Sequence, residues 1–161
     1  MAPHRFALAA AGLVAALCLP LAAGAQSPAP ADPALLALPE KLSTAMFAVD
    51  TATLRANCAA KATVVDEFPP YSWKGADACV RWATAFKAFI AQAKLSGFQT
   101  TIAPKPFIDV SGDHAYMVAQ VTFTAMMAGK RIPDVGTWTF VLAKSGTAWK
   151  ITSLAWGTLH H

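Results

Sequence analysis

The order of local patterns predicts an α+β fold. Up to about residue 94, apolar residues recur at helical spacing, in one stripe from Leu35 to Met46 and another from Cys79 to Ile90. After Gly97 the chain reads as consecutive strands joined by short glycine-containing turns. Between the two stripes lies one β-branched run, Ala62 to Asp66. Helices gathered on one side of antiparallel strands make an α+β domain.

The 161 residues suffice for one domain, and the start of the chain is set apart from it. His4 and Arg5 precede an apolar run from Phe6 to Leu19, which Pro20 ends, and Ala23-Gly24-Ala25 follows. This is a secretory signal pattern over residues 1–25, with cleavage after Ala25. The run is short for a retained membrane anchor, and Leu17 is bulky for lipid attachment at Cys18. The expected location is therefore exported, periplasmic or secreted, with no membrane association after signal removal. Residues 26–33, rich in Pro and Ala, read as a linker, and residues 34–161 as the domain.

Asp32-Pro33 has the form of a helix start, with Asp as N-cap and Pro in the first helical position. Leu35, Leu38, Leu42 and Met46 predict a helix to about Val49, which Pro39 either kinks or begins. Asp50-Thr51 marks a second, short helix with Leu54 and Cys58 on one face. Gly75 to Lys94 predicts the longest helix, its apolar stripe running through Cys79, Trp82, Ala83, Phe86, Phe89, Ile90 and Ala93. Phe98 to Val110 is extended, with Pro104 and Pro106 marking an edge or bulged strand. His114–Met127, Ile132–Ala143 and Trp149–Leu159 complete an antiparallel meander.

Net charge of +4 is spread over scattered Lys and Arg residues, the one adjacent pair, Lys130-Arg131, reading as a hairpin tip beside Gly129, so no clustered basic face points to nucleic acid. Cys58 and Cys79 lie far in sequence from any His, which gives no metal-ligand spacing, and no glycine-rich phosphate loop or activated-serine motif occurs. No cofactor is expected. Asp66 is the candidate for chemistry: it ends an apolar run, and Phe68 and Tyr71 follow within five residues. A carboxylate held against rings loses hydration, and its pKa rises towards the range of a proton shuttle. Tyr71 and His114 are the candidates for a second polar group beside it; His114, opening a strand after a turn, also reads as an exposed turn residue.

Four features carry a family resemblance: Asp50 at a helix start, Ala62-Thr-Val-Val-Asp66, Gly75-Ala-Asp-Ala, and the hairpin Thr137-Trp-Thr-Phe-Val-Leu with Ala148-Trp-Lys-Ile-Thr-Ser153. In order and spacing they resemble the nuclear transport factor 2-like superfamily, with its SnoaL-like and ketosteroid isomerase-like members. The resemblance implies a cone-shaped roll of three N-terminal helices packed on a curved antiparallel sheet. Its open end would be an apolar pocket for a small apolar molecule, lined by Leu42, Met46, Phe68, Tyr71, Trp82, Phe86, Thr137 and Thr139. The superfamily includes isomerases, dehydratases and hydrolases that need no cofactor, and many proteins without catalysis. Asp66 matches the general base of ketosteroid isomerase, and its carboxyl is expected to point towards the face carrying Thr137 and Thr139. The oxyanion-stabilising tyrosine falls near Leu42, which cannot donate, and its partner aspartate at Thr137 or Thr139. The leading expectation is thus a binding domain, with an Asp66-dependent enzyme as its rival.

The resembled fold also brings Cys58 and Cys79 together, as a disulfide or as two buried thiols. Trp138, Phe140 and Leu142 share one strand face and Thr137, Thr139 and Val141 the other. A sheet apolar on both sides needs two covers, which predicts a homodimer through the outer face.

Overall fold

The structure, a computed structural model, describes Asp32 to His160, so the signal segment and most of the linker lie outside the described residues. Three helices, α1 (Pro33–Ala48), α2 (Thr51–Asn57) and α3 (Ala78–Gln92), pack on a curved seven-stranded sheet. The strands are β1 (Cys58–Val65), β2 (Ser72–Lys74), β3 (Ser96–Ile102), β4 (Phe107–Ser111), β5 (His114–Met127), β6 (Lys130–Ser145) and β7 (Ala148–His160). Their order is β2-β1-β7-β6-β5-β3, with β4 also on β5. Among the described residues no helix is long and apolar enough to cross a membrane.

Asp32 caps α1, its Oδ1 accepting the Ala34 N–H at 2.9 Å, while its Oδ2 accepts the Trp149 indole N–H at 2.8 Å. These bonds hold its pKa below the usual carboxylate value and tie the helix start to β7. The helix runs through Pro39 rather than beginning there. Pro39 removes one backbone bond, a defect of about 3 kcal/mol in an isolated helix. Here its ring is buried with Leu35, Leu38 and Leu42, and packing offsets the loss. Asp50 caps α2, accepting from the Ala52 and Thr53 N–H groups.

Three expectations need correction. Cys58 does not continue α2; it closes that helix and opens β1. The 98–110 stretch is two strands, β3 and β4, both on β5, because Pro104 and Pro106 fall in the gap between them. The sheet is mixed rather than antiparallel: β1 runs parallel to β7, with Val64 opposite Leu154. That pairing joins the first strand to the last, so no local turn signal announces it. Ser72–Lys74, unrecognised in the sequence, forms the edge strand beside β1.

Alternation fixes the two faces of the sheet. Met117, Ala119 and Val121 of β5, Trp138, Phe140 and Leu142 of β6, and Ile151 and Leu154 of β7 are all buried towards the helices. Thr137, Thr139 and Val141 point the opposite way, and Val141 is 40% exposed. Cys58 and Cys79 are bonded, their Cα atoms 6.5 Å apart, which fastens the start of β1 to the first turn of α3.

Candidate functional site

The period of two that buries Ala62 and Val64 of β1 carries the next residue of that parity, Asp66, to the inner face. Asp66 is the first residue beyond the strand, where sheet pairing ends and a cavity begins. Trp82, one turn along α3 from the disulfide at Cys79, donates its indole N–H to Asp66 Oδ2 at 2.7 Å. The Glu67 backbone N–H donates to Oδ1, also at 2.7 Å. Both oxygens therefore have a fixed donor.

The cavity measures about 320 Å³ and lies between α3, the hairpin of β5 and β6, and the end of β7. Its floor includes Met46, Trp82 and Trp138, all buried. Phe68, Phe86, Phe89 and Ile90 form one wall, with Phe68 stacked on Phe89 at 5.2 Å. Phe98 from β3, Phe123 from β5 and Trp156 from β7 form the others. Glu67, Phe89 and Pro133 are its solvent-exposed lining residues. The apolar stripe of α3 divides accordingly: Cys79 and Ala83 enter the closed core, Trp82 is buried at the cavity floor, and Phe86, Phe89 and Ile90 face the cavity and are less buried.

A close backbone approach shapes the inner wall. Gly136 lies on the inward register of β6 between Asp134 and Trp138, and the Trp156 ring occupies the space above it. A Cβ at Gly136 would stand 2.6 Å from that ring and 2.5 Å from the Gly157 carbonyl oxygen, closer than atoms tolerate. Trp156 also donates its indole N–H to Thr158 at 3.0 Å, and the Thr158 hydroxyl donates to the Glu67 carboxylate.

Burial pushes the Asp66 carboxyl up to about 6. The Trp82 and Glu67 N–H bonds pull it back down, and the negative fields of Glu67 and Asp134 raise it further. The group is half-buried by exposure, yet its carboxylate faces rings and other carboxylates, so desolvation prevails. Near neutrality it is a hydrogen-bonded, largely ionised base inside an aromatic chamber.

The structure brings together Asp66, Met46, Phe68, Trp82 and Phe86 around this cavity. Leu42 does not line it; it is 2% exposed in the closed core. Tyr71 stands outside at 58% exposure, because the chain turns at Phe68–Tyr71 and Tyr71 takes a positive φ of 67°. Thr137 and Thr139 occupy the outer face, so Asp66 faces the Trp138 side of β6 instead. His114 is exposed at the start of β5, nine residues before the cavity residue Phe123. At about 3.4 Å per residue that is roughly 30 Å away. Tyr71 meets Asp66 only through its backbone carbonyl, which accepts the Asp66 N–H at 3.2 Å, and neither candidate side chain lines the cavity.

The sequence reading missed Glu67, Asp134, Phe98, Phe123, Trp138 and Trp156 as lining residues. Parity held the signal for two of them: Trp138 and Trp156 share the inward face with Phe140 and Leu154. Among the described residues no group of His, Cys, Asp or Glu is placed to hold a metal ion.

The chain has the nuclear transport factor 2-like fold, in a form with an aromatic cavity and a carboxylate inside it. Similar solved structures include a hexachlorocyclohexane dehydrochlorinase, LinA-type3, from Novosphingobium barchaimii. It is 14% identical, with a TM-score of 0.64 over 79% of this chain and 85% of that one. A candidate scytalone dehydratase from Novosphingobium aromaticivorans is 18% identical, with a TM-score of 0.61 over 79% and 83% of the two chains. An NTF2-like protein from the same genus matches at 13% identity and a TM-score of 0.64, over 78% and 80%. No family model matches the sequence, and no curated protein does.

Proposed function

We propose that this chain is an exported protein, periplasmic or secreted, that binds a small, largely apolar molecule in the aromatic cavity. Asp66 is the polar anchor of that ligand. The observation that carries the reading is the Asp66 carboxylate, fixed by two 2.7 Å hydrogen bonds and opening onto a chamber of about 320 Å³ walled by rings. Export rests on the signal pattern of residues 1–25. A second copy covering the outer sheet face, where Tyr116 and Phe107 are exposed, completes the proposed assembly. Titration with the neutral dye N-phenyl-1-naphthylamine tests the pocket. Saturable enhancement of dye fluorescence at micromolar dye, abolished in Ala125→Trp, is the expected result, because Ala125 lines the cavity and the indole fills it. Equal binding by that variant, with its circular dichroism unchanged, refutes the reading.

One observation favours a second reading, in which Asp66 is a general base: its pKa of about 6 suits proton removal near neutrality. Two of the similar structures are named a dehydrochlorinase and a candidate dehydratase, names that denote eliminations. In such a step a carboxylate oxygen takes a proton from carbon, the C–H pair becomes the new double bond, and the leaving group departs with its own pair. Isomerisation through an enolate is disfavoured, since Leu42, Thr137 and Thr139 offer the cavity no donor and Glu67 and Asp134 repel an oxyanion. Under this reading Asp66→Asn abolishes turnover and keeps the fold; under the binding reading it alters affinity modestly and touches no rate.

A further inference from the structure

The cavity has an unusual electrostatic composition. The whole chain is net positive, with 13 Lys and Arg against 9 Asp and Glu. Three of those nine acids, Asp66, Glu67 and Asp134, nevertheless line this one chamber. Among the described residues no Lys, Arg or His lines it. Glu67 acts on Asp66 as a like charge at the exposed side of the cavity, and a positive guest between the two relieves that repulsion.

The rings supply a second, independent contribution. Trp138 meets Trp82, Phe123 and Trp156 at interplanar angles of 74°, 70° and 75°. Rings set nearly at right angles meet edge to face, and all four line the cavity. The face of an aromatic ring is its negative pole and attracts a cation, most strongly for tryptophan. The indole N–H groups of Trp82 and Trp156 are already given to Asp66 and Thr158, so those two rings present π surface rather than donors.

We propose that the ligand is an organic cation: a protonated or quaternary nitrogen on an apolar frame, its nitrogen held between Asp66, Glu67 and the tryptophan rings. This rests on the reading of the cavity as the ligand site. It assigns the anchor a charge, and it makes anionic and acceptor-rich molecules of the same shape poor guests.

A matched set of probes tests it: benzyltrimethylammonium, its neutral carbon isostere neopentylbenzene, and the anion phenylacetate. Each is titrated into the full chain at pH 8 and low salt, reading tryptophan fluorescence, since Trp82, Trp138 and Trp156 line the cavity. The cation is expected to bind at least tenfold tighter than the isostere, and phenylacetate weakest. Glu67→Gln, at an exposed position, lowers cation affinity severalfold and leaves the isostere unchanged; Asp66→Asn acts the same way and more strongly. Equal affinities, a tighter isostere, or a cation advantage that survives both variants overturns the assignment while the apolar pocket stands. Binding by none of the three up to their solubility limits removes the pocket reading and this inference together.

Discussion

Replacing Asp66 by Asn should change stability in a way that depends on pH with a defined sign. Folding raises the Asp66 pKa from 3.8 to about 6, so the folded state holds this proton more tightly than the unfolded chain. The protonated form favours the fold below about pH 4, and that contribution is lost as pH rises through about 6. Two pKa units at about 1.36 kcal/mol each amount to about 3 kcal/mol. Asn has no such titration, but its single carbonyl oxygen can accept only one of the two N–H donors, from Trp82 and Glu67. The orphaned donor costs about 1 kcal/mol at every pH. The variant is therefore expected to be about 1 kcal/mol less stable at pH 4 and up to about 2 kcal/mol more stable at pH 7.5. Urea unfolding of both ligand-free proteins across that range measures the difference. The low-pKa carboxylates Asp32, Asp50 and Asp77 lose stability in the opposite sense as pH falls, and cancel because both proteins carry them. A difference that stays flat with pH, or a variant that weakens relative to wild type as pH rises, refutes the burial argument for Asp66.

Trp82→Phe keeps a ring but removes the N–H that lowers the Asp66 pKa, so the carboxyl should titrate higher than in wild type, as followed by carboxyl carbon chemical shifts. Gly136→Ala should lower the urea midpoint by about 1–3 kcal/mol equivalent, the usual range for overpacking, with the m-value unchanged. Cys58→Ser with Cys79→Ser should cost about 3 kcal/mol from a separation of 21 residues, and reducing agent should weaken wild type but not the variant. If the outer sheet face is a dimer interface, light scattering at micromolar concentration gives twice the chain mass, and Val141→Lys at its exposed centre reduces it to one.

Local chemistry made most elements legible. Asp32-Pro33 and Asp50 announced their helices because an N-cap needs an acceptor side chain two or three residues before free N–H groups. Glycine turns at 112, 129 and 146 placed the strands because each supplies the positive φ the turn requires. Cys58 misled, since it stands at helical spacing from Leu54 and its strand partner, Ile151 of β7, is distant in sequence. In the cavity, Asp66 was found from the run it ends, and Trp82 and Phe86 from the pocket that the family resemblance implies. Tyr71 was misplaced because nearness in sequence does not survive a turn at positive φ. Thr137 and Thr139 were placed in the pocket by their match to the resembled family's aspartate, although alternation with Trp138 assigns them to the opposite face.

The parallel pairing of β1 with β7 has a consequence for the order of events in folding. Thr63 waits for Ser153 and Val65 for Ala155, partners about ninety residues further along the chain, and closing so long a segment is slow. The β1–β2 hairpin that carries Asp66 thus joins the rest of the sheet only when the last described strand slots between β1 and β6. Helices α1 to α3 and the β5–β6 hairpin rest on nearer contacts and can form beforehand. A chain stopped short of β7 would retain these pieces yet lack a chamber, so ligand binding reports completed folding rather than local structure.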